Sequence, residues 1–160
     1  MTPKTTTPAL DAACGGRMIW HDKTDPRITA QDIRSCTVHM TDRGKTRTLQ
    51  IAPDIIGDFR NMQYPDASFK LVLFDPPHLL RAGDTSWLFK KYGRLHPETW
   101  SLDLEAGFSE CWRVLAPGGT LIFKWNSCQI PISAIAPMYP GKPLFISRQG
   151  KTYFVVFLKP

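Results

Sequence analysis

A carboxylate, two prolines and an imidazole follow one another at Asp75, Pro76, Pro77 and His78, directly after the apolar run Leu71–Phe74. Such a run is typical of a strand buried on both faces of a parallel sheet. Ligands of open α/β sheets bind at the carboxyl ends of the strands, so we expect Asp75 to lie in a binding site. The prolines make the corner rigid. Its carboxylate and carbonyl oxygens can only accept hydrogen bonds, which suits them to an amino group, and His78 adds a flat ring. The alternative is an ordinary strand-ending turn.

A second group of residues suits a nucleotide-like cofactor. Ala9–Cys14 is a short apolar segment, Gly15–Gly16 interrupts it, and Arg17–His21 is predicted to begin a helix. Strand, glycine turn and helix open a nucleotide-binding βαβ unit, in which glycine lets the backbone approach a ligand. A second strand is predicted over Arg27–Ile33. Its Asp32 follows the glycine turn at the distance typical of a carboxylate that binds ribose hydroxyls. The alternative for Asp32 is an exposed loop residue.

Asp58 and Phe59 follow a third predicted strand, which includes Ile51–Ile56. A carboxylate and an aromatic ring side by side suit the amino group and the ring of adenine. Phe59 could equally belong to the core. Before this strand, Thr37–Gln50 is rich in Thr, Arg and Lys and is predicted to be a solvated loop or a hairpin.

Between Leu79 and Trp100, aromatic and basic residues alternate. The candidates for substrate contact are Arg81, Trp87, Lys90, Lys91, Tyr92 and Arg94. Aromatic rings that stack on bases, together with Lys and Arg that contact phosphates, hold single-stranded or flipped nucleotides. The segment could therefore be a substrate-binding lid. It could equally be an amphipathic connection that packs its aromatic residues inward.

The second half of the chain predicts the remaining elements of an α/β fold. They are a helix over Ser101–Val114 capped by its first residue, a turn at Ala116–Gly119, a strand over Thr120–Trp125, and a hairpin of the strands Pro143–Ile146 and Thr152–Leu158 about Ser147–Gly150. Strands that alternate with helices favour a three-layer α/β architecture with a mostly parallel sheet that ends in an antiparallel hairpin strand.

Composition bounds the class of protein. With 160 residues, 42% hydrophobic and 11% aromatic, the chain is predicted to fold as one globular domain over residues 8–160 after a loose tail, residues 1–7. No apolar run reaches membrane-spanning length and no signal peptide is recognisable, so we expect a cytoplasmic protein without a membrane partner. The net charge of +6 fits a polyanionic partner. The four cysteines have no zinc-binding spacing, so we expect free structural thiols and no metal site.

With these motifs in order, the chain resembles the Rossmann-like, S-adenosylmethionine-dependent methyltransferases that methylate amino groups of nucleic acids. The resemblance covers nearly the whole chain and is closest to small phage and prophage enzymes described as DNA methyltransferases. The residues that carry it are Asp11–Gly16, Asp32, Gly57–Phe59, Asp75–His78, Trp112–Phe123 and the closing hairpin strand.

The resemblance implies a role for each motif. Residues 11–16 would wrap the methionine part of the cofactor, Asp32 would bind its ribose, and Asp58 with Phe59 would meet its adenine. Asp75 and the Pro76 carbonyl would accept hydrogen bonds from the target amine. The cofactor-binding set is Asp11, Ala12, Cys14, Gly15, Gly16, Met18, Asp32, Asp58, Phe59 and Asp75, and the catalytic set is Asp75, Pro76, Pro77 and His78. The implied target is adenine N6 in DNA.

Two features of this sequence depart from the family pattern. Gly15 and Gly16 are adjacent rather than alternating with another residue, and His78 stands where the family usually has Tyr, Phe or Trp. Cytosine and other amines therefore remain alternatives to adenine, as do an RNA base, a protein amide, or a binding module without activity. A nicotinamide dinucleotide is less favoured because the third spaced glycine of its fingerprint is missing. No added target-recognition domain is apparent, so we expect low sequence specificity.

Overall fold

The structure is a computed structural model that describes residues 7–160, apart from the side chain of Asp42. The predicted tail lies outside the described residues except for Thr7, whose hydroxyl shares a hydrogen bond with that of Thr29. The described strands are β1 (Ala9–Asp11), β2 (Ile28–Asp32), β3 (Cys36–Asp42), β4 (Lys45–Ile51), β5 (Ile55–Ile56), β6 (Phe69–Phe74), β7 (Leu115–Asn126), β8 (Phe145–Gln149) and β9 (Thr152–Leu158). The helices are α1 (Trp87–Tyr92), α2 (Trp100–Val114), α3 (Ile132–Ile135) and a 3₁₀ turn, Ala136–Met138. None of them is long and apolar enough to cross a membrane.

Seven strands form one sheet in the order β5-β2-β1-β6-β7-β9-β8. The pairs from β5 to β7 are parallel, whereas β9 runs antiparallel to both β7 and β8. This arrangement confirms the predicted Rossmann-like α/β class with a closing antiparallel hairpin. β3 and β4 pair only with each other and form a separate two-stranded ribbon, which settles the choice between loop and hairpin for that segment.

The core lies between α2 and one face of the sheet. Phe74 from β6 and Phe123 from β7 contact Phe108 of α2, with ring centroids 5.3 and 4.7 Å apart. Gly107 permits this close approach, because a Cβ there would lie 2.5 Å from Phe74 Cζ. Trp125 is also buried, and its indole N–H donates to the Ile130 carbonyl. This packing fixes the carboxyl ends of β6 and β7 relative to each other.

The predicted helix at Arg17–His21 is wrong. Residues 15–26 form successive turns, and Gly15 and Arg17 both have positive φ, which is incompatible with a continuing right-handed helix. Asp22 and Asp25 each accept the backbone N–H two residues further on, so these side chains compete locally with helical hydrogen bonding. The β1–β2 connection is therefore a chain of turns.

Several boundaries also differ from the predictions. Helix α2 begins at Trp100 with Thr99 as its N-cap, so Ser101 is not the cap. The turn predicted at Ala116–Gly119 is a bulge inside β7, since the β6 register passes from Leu115 directly to Thr120. In the closing hairpin β8 extends to Gln149, which moves the turn to residues 150–151. The four cysteines are free thiols, as predicted.

Candidate functional site

A cavity of about 880 Å³ opens at the carboxyl ends of β1, β2 and β6. These strands are neighbours in the sheet, and Asp11, Asp32 and Asp75 lie at or just beyond their last residues. Every residue of the predicted cofactor and catalytic sets lines the cavity: Asp11, Ala12, Cys14, Gly15, Gly16, Met18, Asp32, Asp58, Phe59, Asp75, Pro76, Pro77 and His78. The sheet thus brings motifs that are distant in sequence to one space.

Asp75 forms an ion pair that the sequence did not predict. Lys124 Nζ donates to Asp75 Oδ2 at 2.8 Å, and each side chain is 29% exposed. Burial raises the pKa of Asp75, while the charge of Lys124 and its hydrogen bond lower it. Within the described residues neither Asp75 Oδ1 nor the Pro76 carbonyl accepts a hydrogen bond. Two residues that line the cavity therefore each carry an acceptor without a partner among the described residues.

The His78 ring lies between two other aromatic rings. Its centroid is 5.2 Å from that of Tyr92 and 6.3 Å from that of Trp125. Burial lowers the pKa of His78, and the positive charge of Lys124 lowers it further, so the imidazole is neutral at pH 7. His78 and Tyr92 give the cavity an uncharged aromatic wall beside the acceptors of the corner.

Asp11 is a buried carboxyl group of the cavity with a raised pKa. It is 1% exposed, and its Oδ2 accepts the Trp20 indole N–H at 2.6 Å. Burial raises its pKa to about 7, the Trp20 hydrogen bond opposes this shift, and the negative charges of Asp75 and Asp32 add to it. Three carboxyl groups thus share one end of the cavity.

Asp32 holds the glycine turn in place. Its Oδ2 accepts the Gly15 N–H at 2.8 Å, and its Oδ1 accepts the backbone N–H and the guanidinium of Arg34 at 2.9 and 3.3 Å. Arg34 also donates to the Lys90 carbonyl. Asp32 therefore links the glycine turn, through Arg34, to the segment that contains α1.

Asp58 and Phe59 follow β5 and line the cavity. The Arg60 guanidinium donates to both oxygens of Asp58, which lowers the pKa of that carboxyl, and it also donates to Asp103. Phe59 meets Phe74 edge to face, with centroids 5.2 Å apart. Phe59 thus lines the cavity and also belongs to the aromatic packing, while its contact with an adenine stays a prediction.

The segment that contains α1 covers the glycine turn and the corner together. The Lys91 carbonyl approaches Gly15, Gly93 packs against Pro77, and the Leu95 N–H donates to the Leu79 carbonyl at 2.8 Å. Of the predicted substrate residues, Lys91, Tyr92 and Arg94 line the cavity, whereas Arg81, Trp87 and Lys90 lie outside its wall. Arg94 is also bound to Asp84 and lies over the Phe89 ring, so local packing accounts for part of its position.

The cavity includes further polar residues that the sequence analysis missed, namely Arg34, Arg60, His96, Thr99, Asp103, Lys124 and Asn126. Lys124 had a recognisable signal, because it is a charged residue in the middle of the otherwise apolar run Leu121–Trp125. Asn126 ends β7, the others lie in loops or on α2, and their contribution depends on how the chain folds back.

No protein-family model and no curated protein matches the sequence. Among solved structures, PH0226 protein from Pyrococcus horikoshii superposes with a TM-score of 0.55 at 16% identity, over 99% of this chain and 84% of that one. TTHA0409 from Thermus thermophilus, a "Putative DNA Modification Methylase", gives a TM-score of 0.39 at 22% identity, over 65% of this chain and 52% of that one. The first match supports the α/β fold, and the second is too partial to add to it.

Proposed function

We propose that the protein is an S-adenosylmethionine-dependent methyltransferase that acts on an exocyclic amino nitrogen of a nucleic-acid base, with adenine N6 in DNA as the favoured target. The observation that carries the proposal is that the Asp75–His78 corner and the Gly15–Gly16 turn line one cavity. A methyl donor held at the turn and an amine held at the corner would meet in the same space.

The residues of the cavity fit this cofactor, which carries a sulfonium, an ammonium group, a ribose diol and an adenine. Asp11, Asp32 and Asp75 surround one end, and their mutual repulsion contributes to the raised pKa of Asp11. A cation among three carboxyl groups would relieve that repulsion. Phe59 offers an apolar contact in the same cavity, and a volume of about 880 Å³ lies in the usual range for small-molecule sites.

The chain's own residues would position the amine. Asp75 Oδ1 and the Pro76 carbonyl can each accept one amine hydrogen, and Lys124 fixes the carboxylate by holding Oδ2. Drawing these hydrogens out of the base plane turns the nitrogen lone pair, otherwise delocalised into the ring, toward the cavity. Positioning of this kind supplies much of a rate enhancement.

The bound cofactor supplies an electrophilic methyl group on sulfur. The cofactor's sulfur would leave with the electron pair of its bond to that methyl group, and the Asp75 carboxylate would take one amine proton and pass it to solvent. The burial that raises the pKa of Asp75 makes it a better proton acceptor. His78, neutral and flanked by Tyr92, would stack on a base that has left the duplex, at an unstacking cost of roughly a few kcal/mol.

The test is incubation with methyl-labelled cofactor and DNA, RNA or protein, followed by nucleoside analysis by mass spectrometry. We expect N6-methyladenine in DNA. Label in an RNA base or a protein amide would change the proposed substrate and leave the proposed methyl transfer in place. No label in any of them, with cofactor binding intact, would contradict the proposal and favour a binding module.

A variant of the corner tests its role. Asp75→Ala should abolish transfer and keep cofactor affinity within a few-fold, because Asp75 is proposed to hold the amine. Glu105→Ala, which removes an exposed carboxylate from α2, is the control and should change neither. If Asp75→Ala lowers cofactor affinity as much as it lowers activity, Asp75 belongs to the cofactor site instead.

A further inference from the structure

The connection between β2 and β5 is a two-stranded ribbon and contains no crossover helix within the described residues. β3 and β4 pair at seven positions, from Cys36 opposite Ile51 to Asp42 opposite Lys45. The ribbon follows Asp32, so it leaves the main sheet at the edge that carries the proposed site. Leu49 at its base packs against the glycine turn, since a Cβ on Gly16 would lie 2.5 Å from Leu49 Cδ1. The ribbon is thus attached to the wall of the cavity.

The two faces of the ribbon differ in chemistry. Residues directly opposite each other in an antiparallel ladder point to the same face. One face carries Leu49 and Ile51, which are buried at the base. The other face carries only polar side chains that can form hydrogen bonds, and all of them are exposed: Thr37, His39, Thr41, Thr46, Thr48 and Gln50.

The tip of the ribbon is basic. Arg43 and Gly44 form its two-residue turn with φ of 50° and 75°, and exposed Lys45 follows them. A hairpin turn with two positive φ values favours Asn, Asp or Gly. Turn geometry alone therefore does not select the arginine, which places a cation at the outermost point of the ribbon.

We infer that this ribbon docks in the major groove of duplex DNA and reads base edges with its polar face, beside the site of methyl transfer. The inference rests on the proposed function and names its partner. A major groove about 12 Å wide and 8.5 Å deep admits a two-stranded ribbon. The exposed part beyond His39 and Thr48 extends about 12 Å at roughly 3.4 Å per residue, so a ribbon that lies with its polar face on the base edges spans the groove and has its tip at the groove margin.

The chemistry of each part of the ribbon matches a part of the duplex. Hydroxyl, imidazole and amide groups can donate to or accept from base edges, while Arg43 and Lys45 can contact phosphates at the groove margin. A-form RNA has a deep, narrow major groove that side chains cannot read, so the ribbon selects DNA. A surface this small reads few bases, in agreement with the low sequence specificity expected from the sequence.

The first experiment measures binding of the full chain to a short DNA duplex and to the RNA duplex of the same sequence, by fluorescence anisotropy over a range of salt concentrations. Arg43→Ala with Lys45→Ala should weaken DNA binding about tenfold or more and reduce the slope of log affinity against log salt by about 2, since each phosphate contact contributes about 0.9. Lys142→Ala with Lys151→Ala removes two exposed cations beside β8, at the opposite edge of the sheet, and should leave both values unchanged.

The second experiment separates base readout from strand formation, because threonine also favours exposed strands for its β-propensity alone. Thr41→Val with Thr46→Val keeps the β-branched shape of a directly opposed pair and removes both hydroxyls. We expect this double variant to show the same slope of log affinity against log salt as the wild type. It should discriminate less among duplexes drawn from a random-sequence pool. Unchanged cofactor binding, measured by calorimetry, shows that each variant is folded.

The outcomes separate this inference from the proposed function. DNA binding that needs Arg43 and Lys45, without methylation of any base, would support the inference and contradict the function. Methylation of DNA that neither ribbon variant alters would support the function and overturn the inference. The inference would also be overturned if the Lys142 and Lys151 control lost as much DNA affinity as the ribbon variant, or if the protein bound RNA as tightly as DNA. Unchanged sequence discrimination in the threonine variant would overturn it as well.

Discussion

Asp11→Asn should remove a pH-dependent loss of stability. In the folded protein the buried Asp11 carboxyl keeps its proton up to a pKa of about 7, whereas the ordinary pKa of this group is 3.8. The unfolded chain therefore releases this proton at lower pH, so stability is lost as pH rises through the window from about 4 to 7. Between pH 5 and 8 this difference costs the wild type about 3 kcal/mol at 1.36 kcal/mol per pKa unit. Asparagine does not titrate, and its amide oxygen can still accept the Trp20 N–H.

The assay is urea unfolding of the cofactor-free protein at pH 5 and pH 8. The stability of Asp11→Asn relative to wild type should rise by about 3 kcal/mol over this range. Asp22→Asn is the control, because Asp22 is an exposed carboxylate in the same connection whose pKa is lowered. If the free energy of unfolding changes equally with pH in wild type and in Asp11→Asn, the assignment of Asp11 as a buried carboxyl group with a raised pKa is refuted.

Lys124→Met should raise the pKa of Asp75 further and shift the acid limb of the methylation rate to higher pH, because Lys124 lowers that pKa. His78→Ala should raise KM for nucleic acid about tenfold or more, since stacking of a base on an aromatic ring contributes ~1–3 kcal/mol. Gly107→Ala should destabilise the fold by about 1–3 kcal/mol in urea unfolding, because its Cβ would lie 2.8 Å from Phe59 in a packed aromatic cluster.

Each of these variants has a matched comparison. Lys70→Met removes an exposed lysine near the other end of β6 and should leave the pH profile unchanged. An equal shift would mean that the loss of any positive charge, rather than the contact of Lys124 with Asp75, moves the profile. His78→Phe should restore KM, whereas failure to do so would assign His78 a proton-transfer role. Ala106→Gly, beside Gly107 on α2, should cost about 1 kcal/mol by helix propensity alone. A stabilised Gly107→Ala would contradict the overpacking argument.

Much of the fold was predictable because its signals are local. The apolar run Leu71–Phe74 is buried as β6, and Asp32 ends β2 as the pattern indicated. Parallel strands end at the same edge of a sheet, which is why Asp32 after the glycine turn and Asp75 after β6 line one cavity. The helix expected at Arg17–His21 failed because competing turn hydrogen bonds and a positive φ at Arg17 are not visible in the apolar pattern.

The contacts that tune the site depend on tertiary structure. Lys124 reaches Asp75 only because β7 lies beside β6 in this register, with Phe123 opposite Phe74. The bulge after Leu115 sets that register, and the sequence showed it only as a turn. Likewise, nothing in the local pattern around Arg60 indicated that its guanidinium would donate to Asp103 of α2. Such long-range pairings require the sheet order before they can be inferred.

The carboxyl groups of the site differ in how they are neutralised, and this difference explains where a cation should bind. Asp32 has Arg34, and Asp75 has Lys124, whereas within the described part of the chain Asp11 accepts only from the neutral N–H groups of Trp20 and Ala13. With its pKa raised by burial to about 7, Asp11 is only partly ionised at neutral pH, and a cation beside it should displace the remaining proton. Binding of S-adenosylmethionine at pH 7 should release protons, measured by calorimetry in buffers of different ionisation enthalpy, and S-adenosylhomocysteine, which lacks the sulfonium charge, should release fewer. Equal release by both would place the sulfonium away from Asp11.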